Sequence, residues 1–358
     1  MSARVPGGPA RPEQRLEANL FEEYFDRVMA LAHQRMEIEW TSHHRDDLQR
    51  LRPDLEEIHR ELGALLRVVF RYGLFDALHA EAVGYATTLA RRNSPHDALA
   101  LLLDSWIVAI QGLIQPPACN LLAAPLKQLR EELPGLVRDL EPPKSTDSHV
   151  RELMQRAVAG DLPGATDVMR ARLAAGVPAF ELVPKLFLAT MSEIGDRWER
   201  NELTIYQEHL ATEIVVRLLA GLPAAVSAPP SLGRKALVSC VPDDHIQLVP
   251  LALSVYLELR GWQALSLGQG LPADQIAAAA KALQPDAVFL SLAMVARLAG
   301  ALDTVERLGR LQPRPAVIVG GRGALLARTW LEATGAEVAA TFDEAHRQAL
   351  ERQGSYHA

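Results

Sequence analysis

The chain has 358 residues, 49% of them apolar and 23% charged, which is ample for buried cores and excludes a disordered or fibrous chain. Its net charge of -7 argues against a broad nucleic-acid-binding surface, and its 2 cysteines, Cys119 and Cys240, are too few for a disulfide framework or a cysteine-built zinc site. No apolar run reaches the roughly 18 residues that span a bilayer, and the Gly/Pro-rich start, Met1 to Pro12, lacks the apolar core of a signal peptide, so a cytoplasmic protein with no membrane partner is expected.

Residues 1–17 read as a flexible tail. Residues 18–140 form the first block, in which Phe21, Tyr24, Phe25, Val28, Met29, Leu31 and Ala32 recur at helical spacing. The stretches 55–70, 75–91 and 97–114 repeat that period, so an all-helical domain of about five to seven helices is expected. Its histidines (His33, His43, His44, His59, His79 and His96) show no zinc spacing, and surface positions are the default. Asp46-Asp47 and Glu56-Glu57 read as solvated faces. The double proline of Glu141-Pro142-Pro143-Lys144 then breaks the chain.

Residues 149–222 offer helical segments at 149–159, 163–175, 184–200 and 204–220, with Gly160, Gly176 and Asn201 between them. Short connections imply antiparallel neighbours and therefore a four-helix bundle. A second Pro-rich linker, Ala228 to Gly233, follows. From 234 to 352 the pattern alternates. Runs at 236–241, 264–267, 287–292, 316–319 and, more weakly, 337–340 are separated by helical segments. Near-continuous apolar strands between helices indicate a parallel sheet covered on both faces. Five such units predict a flavodoxin-like, doubly wound α/β domain with its ligand at the carboxyl ends of the strands.

The candidate site residues follow from that placement. The first strand runs into Pro242-Asp243-Asp244-His245, so His245 sits where this fold binds ligands. Asp243 is placed to accept a hydrogen bond from one ring nitrogen, leaving the other for a metal; a loop histidine capping the next helix is the alternative. Ser291, at the end of the third strand, faces either a ligand or its own backbone. Gly320-Gly321, after the fourth strand, permits close backbone approach to a ligand or simply makes a tight turn. In the bundle, Trp198 closes one helix and Glu208-His209 open the next. An indole beside a carboxylate and an imidazole makes a lid for a planar ligand; a core Trp beside a solvated pair is the alternative. No GxSxG, P-loop or dinucleotide fingerprint is present.

Together the bundle and the α/β block resemble the cobalamin-binding module of methionine-synthase type. Asp243-Asp244-His245 matches the start of its DxHxxG motif, in which the His is the lower axial cobalt ligand and the Asp supports it. Ser291-Leu292 matches its next motif, and Gly320-Gly321 the glycine pair beside the nucleotide tail. Trp198, nine further residues and then Glu208-His209 resemble the Wx9EH pattern of cobalamin-dependent photoreceptors related to the light-sensing MerR-type repressors. There the three side chains pack around the 5′-deoxyadenosyl group. Two positions depart from the patterns. Leu248 replaces the motif glycine, where a leucine is expected to crowd the tail, and Glu199 stands where the repressors carry a second cobalt-binding His.

The resemblance implies a light-sensing signalling protein rather than an enzyme. It implies adenosylcobalamin as cofactor, His245 as the cobalt ligand, and a homo-oligomer, dimer or tetramer, with a regulatory protein partner and no direct nucleic-acid contact. The helical first block looks like that of the photocobilins, which implies biliverdin as a second chromophore, and loosely like globin-type sensor domains. The competing readings are a corrinoid methyl carrier of a methyltransferase system, a haem- or redox-responsive antirepressor, and a scaffold with a vestigial pocket.

Overall fold

The computed structural model describes residues 12–42, 48, 50–91, 97–136, 147–200 and 202–354. The expected first linker lies mostly outside these residues, as do Asp46, Asp47, His43, His44, His96, Asn201 and the side chain of Glu199. The chain divides into two units, Met1–Glu141 and Pro142–Ala358. Among the described residues no helix is long and apolar enough to cross a membrane.

The first unit is helical. Its elements are α1 (Pro12–Ser42), α2 (Arg52–Tyr72), α3 (Phe75–Arg91), α4 (Ala98–Leu113) and α5 (Ala118–Leu136). Helix α1 begins at Pro12, inside the segment expected as a tail. It buries Phe21, Val28, Ala32, Met36 and Trp40, a stripe at helical spacing, and packs on α2 and α4. Trp106 of α4 lies at the centre of this core, fully buried. Gly63 of α2 makes room for it, since a Cβ there would stand 3.1 Å from the indole. The Trp106 Nε1–H donates to Nδ1 of His59 at 3.0 Å. His59 is therefore a core residue and not a surface one, because a buried indole N–H must find an acceptor.

The second unit joins the bundle to the α/β domain. The bundle contains α6 (Ser148–Val158), α7 (Leu162–Ala174), α8 (Ala179–Leu182), a π-helical turn (Val183–Leu188), α9 (Ala189–Glu199) and α10 (Ile205–Gly221). The caps explain the starts. Asp147 accepts from the His149 N–H at 2.8 Å, Asp161 accepts from the Gly164 N–H at 2.9 Å, and Thr204 and Gln207 form a capping box. The third helix starts at Ala179, earlier than the expected 184. Pro184 is a helix breaker by its missing N–H and its ring, and here it is absorbed in the wider π turn.

The sheet contains β1 (Lys235–Cys240), β2 (Gln263–Gly268), β3 (Ala287–Ser291), β4 (Ala316–Gly320) and β5 (Glu337–Ala339), all parallel, in the order β2-β1-β3-β4-β5. Helices α11 (Leu248–Glu258), α12 (Ala273–Leu283), α13 (Leu298–Gly309), α14 (Arg322–Leu326), α15 (Arg328–Ala333) and α16 (Phe342–Gly354) alternate with the strands. Every residue of β3 is buried, as a two-sided cover requires. The whole is the doubly wound, flavodoxin-like arrangement.

One apolar core runs through both parts of this unit. Phe187, Ile194 and Val215 of the bundle belong to it together with Val255 of α11 and with Val238, Phe289 and Ile318 of the sheet. A stack of rings reinforces the join. Phe180 of α8 meets Tyr256 of α11 edge-on at 5.8 Å, and Tyr256 meets Phe342 of α16 at 5.6 Å. The Arg260 guanidinium lies 4.6 Å over Phe180 and is 3.4 Å from the Asp343 carboxylate. Burial pushes the Tyr256 phenol up to about 12, so at neutral pH it keeps its proton and donates to Asp343 at 3.3 Å.

The His59–Trp106 pair makes the first unit acid-sensitive. Burial holds His59 well below its ordinary 6.5, at about 4, and a second ring proton would displace the indole N–H from Nδ1. Between those values the unfolded chain binds the extra proton and the folded chain does not. The contribution to stability is therefore complete above about 6.5 and is lost as pH falls toward about 4. Unfolding monitored by Trp fluorescence across that window is expected to show a falling midpoint, with a shallower fall in His59→Gln.

Candidate functional site

The strand register builds the site. Cys240 of β1 pairs with Ser291 of β3, Ser291 with Gly320 of β4, and Gly320 with Ala339 of β5. The carboxyl ends of four strands are thus level, and the loops that leave them gather at one edge. Strands β1 and β3 are neighbours whose connections depart in opposite directions, which opens the crevice where this fold places ligands.

A cavity of about 220 Å³ runs in from that edge. Val238, Phe289, Ser291, Ile318, Gly320, Gly321 and Ala339 line it from the sheet. Val249, Pro250 and Leu253 of α11 wall one side, Phe342 and Ala345 of α16 the other. The lining is largely apolar; its polar side chains are Thr341, whose hydroxyl oxygen accepts from the Glu344 N–H at 3.1 Å, and Ser291. The Ser291 hydroxyl is buried and has no hydrogen-bond partner. Leaving such a group dry is costly, about 1–3 kcal/mol, so it marks the place where a ligand polar atom belongs. Leu248 does not line the cavity; it packs against the unit's apolar core.

The two glycines behave differently. Gly321 has φ +111° and a Cβ there would stand 2.4 Å from the Leu292 carbonyl oxygen, so the β3 and β4 loops require glycine at this crossing. A Cβ on Gly320 would meet only the Ala339 carbonyl, at 3.5 Å, an ordinary contact. Gly320 therefore contributes open cavity wall, and Gly321 contributes the turn.

His245 stands exposed on the loop between β1 and α11, and its ring makes no hydrogen bond among the described residues. The Asp243 carboxylate is also exposed and is not bonded to His245; the residue has φ +62°, and its carbonyl accepts from Arg297 Nε–H at 2.9 Å. The buried carboxylate of the loop is Asp244, 2% exposed. It accepts from the Ile246 N–H at 3.2 Å and from the Ala293 N–H at 2.7 Å. Sequence reasoning gave Asp244 no role, and only the placement of the β3 loop reveals it. Burial pushes the neighbouring Cys240 thiol up to about 12, so it stays protonated and donates to the Ile246 carbonyl at 3.6 Å.

The bundle's candidates lie at the corner between α9 and α10. Trp198 is half-buried. Ion pairs brace the corner, Arg197 to Glu193 at 2.9 Å and Arg200 to Glu202 at 2.6 Å. Glu208 accepts from the Thr212 hydroxyl at 2.9 Å, and His209, 75% exposed, has its Nδ1 3.7 Å from the Glu208 carboxylate. Ile205, Tyr206 and Leu210 are large apolar residues left exposed on the same helix start. None of Trp198, Glu208 and His209 lines the cavity.

The residues at this edge suit the group that the sequence resemblance implies. A corrinoid with its nucleotide tail detached from cobalt needs a narrow, mostly apolar slot with a polar anchor and an unengaged nitrogen outside it. The cavity with its unpartnered Ser291 hydroxyl and the free imidazole of His245 meet both needs.

Comparison with known proteins points to B12-binding domains. Two family models, each described as a B12 binding domain, match residues 150–222 and 234–350. The HTH-type transcriptional repressor CarH of Myxococcus xanthus is 28% identical over 255 residues, which cover 71% of this chain and 82% of that protein. The HTH-type transcriptional repressor CarA of the same organism is 32% identical over 140 residues, 38% of this chain and 46% of its own length. Dimethylamine corrinoid protein 3 of Methanosarcina acetivorans is 30% identical over 169 residues, 46% of this chain and 77% of that protein.

Two substitutions separate turn from cavity. Gly321→Ala is expected to destabilise the second unit by at least about 1–3 kcal/mol, through strained φ and overlap with Leu292. Gly320→Ala is expected to leave folding within about 1 kcal/mol of the wild type while narrowing the cavity. Urea denaturation followed by far-UV circular dichroism measures both.

Proposed function

The chain belongs to the family of B12-binding proteins, and from that premise we propose that this cobalamin-binding chain is a light sensor whose cofactor is adenosylcobalamin. The observation that carries the reading is the bundle corner. Trp198 lies at the end of α9 and Glu208 and His209 near the start of α10, in a bundle that shares its core with the cavity domain, and Ile205 and Tyr206 of the same α10 start are exposed. An apolar and aromatic patch of this kind suits a nucleoside group above the corrin. The similarity to CarH supports it further.

When bound, the cofactor supplies a cobalt–carbon bond that visible light cleaves. The protein's residues do the rest. His245 would offer a ring nitrogen to the metal. Ser291 gives its unpartnered hydroxyl to the buried tail, and Gly320 leaves the tail room. Trp198, Glu208 and His209 would pack against the adenosyl group in the dark and shield it from water. Light would remove the group these three residues pack against, and the cap would settle into a different arrangement. A ligand moves an equilibrium only by its different affinity for two states, and here illumination removes the ligand that favours one of them. The changed cap would alter a homo-oligomer interface or a regulatory protein partner. Biliverdin in the helical first unit would extend the response toward red light.

A methyl carrier is the second reading, favoured by the similarity to dimethylamine corrinoid protein 3. Carriers need an open upper face, which the Trp198 corner does not suit. Preference for methylcobalamin, with methylation by a partner enzyme, would select that reading.

Purified protein loaded with adenosylcobalamin is expected to change its absorption spectrum on illumination and to stay unchanged in the dark. A spectrum that light does not alter overturns the sensor. The same experiment with added biliverdin reads the second chromophore. His245→Ala is expected to weaken cobalamin binding by about 10- to 100-fold or more, the range seen when the support of a metal ligand is removed, as measured by equilibrium dialysis.

A further inference from the structure

We propose that Asp244, and not Asp243, is the positioning residue that holds His245 toward a corrinoid; the inference rests on the cobalamin reading above. Position in the sequence favours Asp243, because it precedes His245 by two residues. The geometry favours its neighbour. Asp243 occupies the left-handed region, φ +62°, where Asp and Asn are tolerated better than other side chains, so its identity is explained by the backbone. Its carboxylate is exposed and has no hydrogen bond to His245, and its carbonyl accepts from the Arg297 Nε–H at 2.9 Å.

Asp244 is buried and its two oxygens are divided between two loops. One holds the Ile246 N–H at 3.2 Å, within the loop that carries His245. The other holds the Ala293 N–H at 2.7 Å, at the start of the loop leaving β3. These loops part at the crevice, and the Asp244 carboxylate ties them where they separate. His245 lies between Asp244 and Ile246, and the Ile246 carbonyl is itself held by the Cys240 thiol at 3.6 Å. The main chain on both sides of His245 is thus anchored while its ring stays unengaged. Preorganisation of this kind removes an ordering cost from binding, so losing the anchor should weaken coordination without touching the imidazole.

The test compares wild type, Asp243→Asn, Asp244→Ala and Asp244→Asn in the full chain. Each is loaded with cobalamin reduced to the cobalt(II) state, and its histidines carry heavy nitrogen. Electron paramagnetic resonance then shows by its nitrogen splitting whether a protein imidazole is bound to cobalt. Wild type and D243N are expected to show imidazole splitting. D244A is expected to lose it in most of the bound population and to bind about tenfold more weakly. D244N, which keeps one acceptor, is expected to fall between. In the ligand-free protein, amide exchange at Ile246 and Ala293 is expected to quicken in D244A and not in D243N. The proposal is overturned if D244A keeps both splitting and affinity, or if D243N loses the splitting. Should D244A not fold, D244N set against D243N carries the same comparison. A wild type that takes up no cobalamin defeats the functional reading instead, and amide exchange still decides whether Asp244 holds the loop.

Discussion

Strand β1 has a parallel neighbour on each side, β2 and β3, and the chain leaving it can cover only one of them. That constraint creates the opening at the carboxyl edge, and the site follows from it. Because Cys240, Ser291 and Gly320 are in register, the loops after three strands start from one level and meet across the opening. Close approach of those loops then dictates local chemistry. Gly321 is glycine because the Leu292 carbonyl leaves no space, and the Asp244 carboxylate is buried because two loop N–H groups need an acceptor. The unpartnered Ser291 hydroxyl is what remains after the protein's own groups have been satisfied.

Apolar contact joins the bundle to this domain. Phe187 and Val215 share one interior with Val255 and Phe289, so neither part buries its apolar face without the other. The Arg260–Phe180 contact and the three-ring stack add direction to that burial. A bundle joined in this way is well packed at its base, while Ile205, Tyr206 and His209 at its far corner are exposed.

Much of this was legible in the sequence, for physical reasons that differ by element. The strands were readable because a two-sided sheet demands unbroken apolar runs, as in Ala287 to Ser291. The bundle helices were readable from period and caps, except at Pro184, where a residue that normally begins a helix sits in a π turn inside one. Trp198, His245 and Ser291 stood out through their places at element ends. Asp244 and His59 did not, because their roles are set by partners far away in the chain, Ala293 and Trp106, and no local pattern encodes such a meeting. The same pairing recurs in the second unit, where the Trp262 indole donates to Nδ1 of His346 at 3.0 Å, and it was equally invisible to spacing arguments.

Phe342 faces two ways. One side of its ring closes the cavity, and the other bears on Tyr256, which bears in turn on Phe180 of the bundle. Interiors packed at crystal-like density transmit small displacements instead of absorbing them. The wall of the slot and the bundle are therefore in contact through a continuous row of three rings, Phe342, Tyr256 and Phe180.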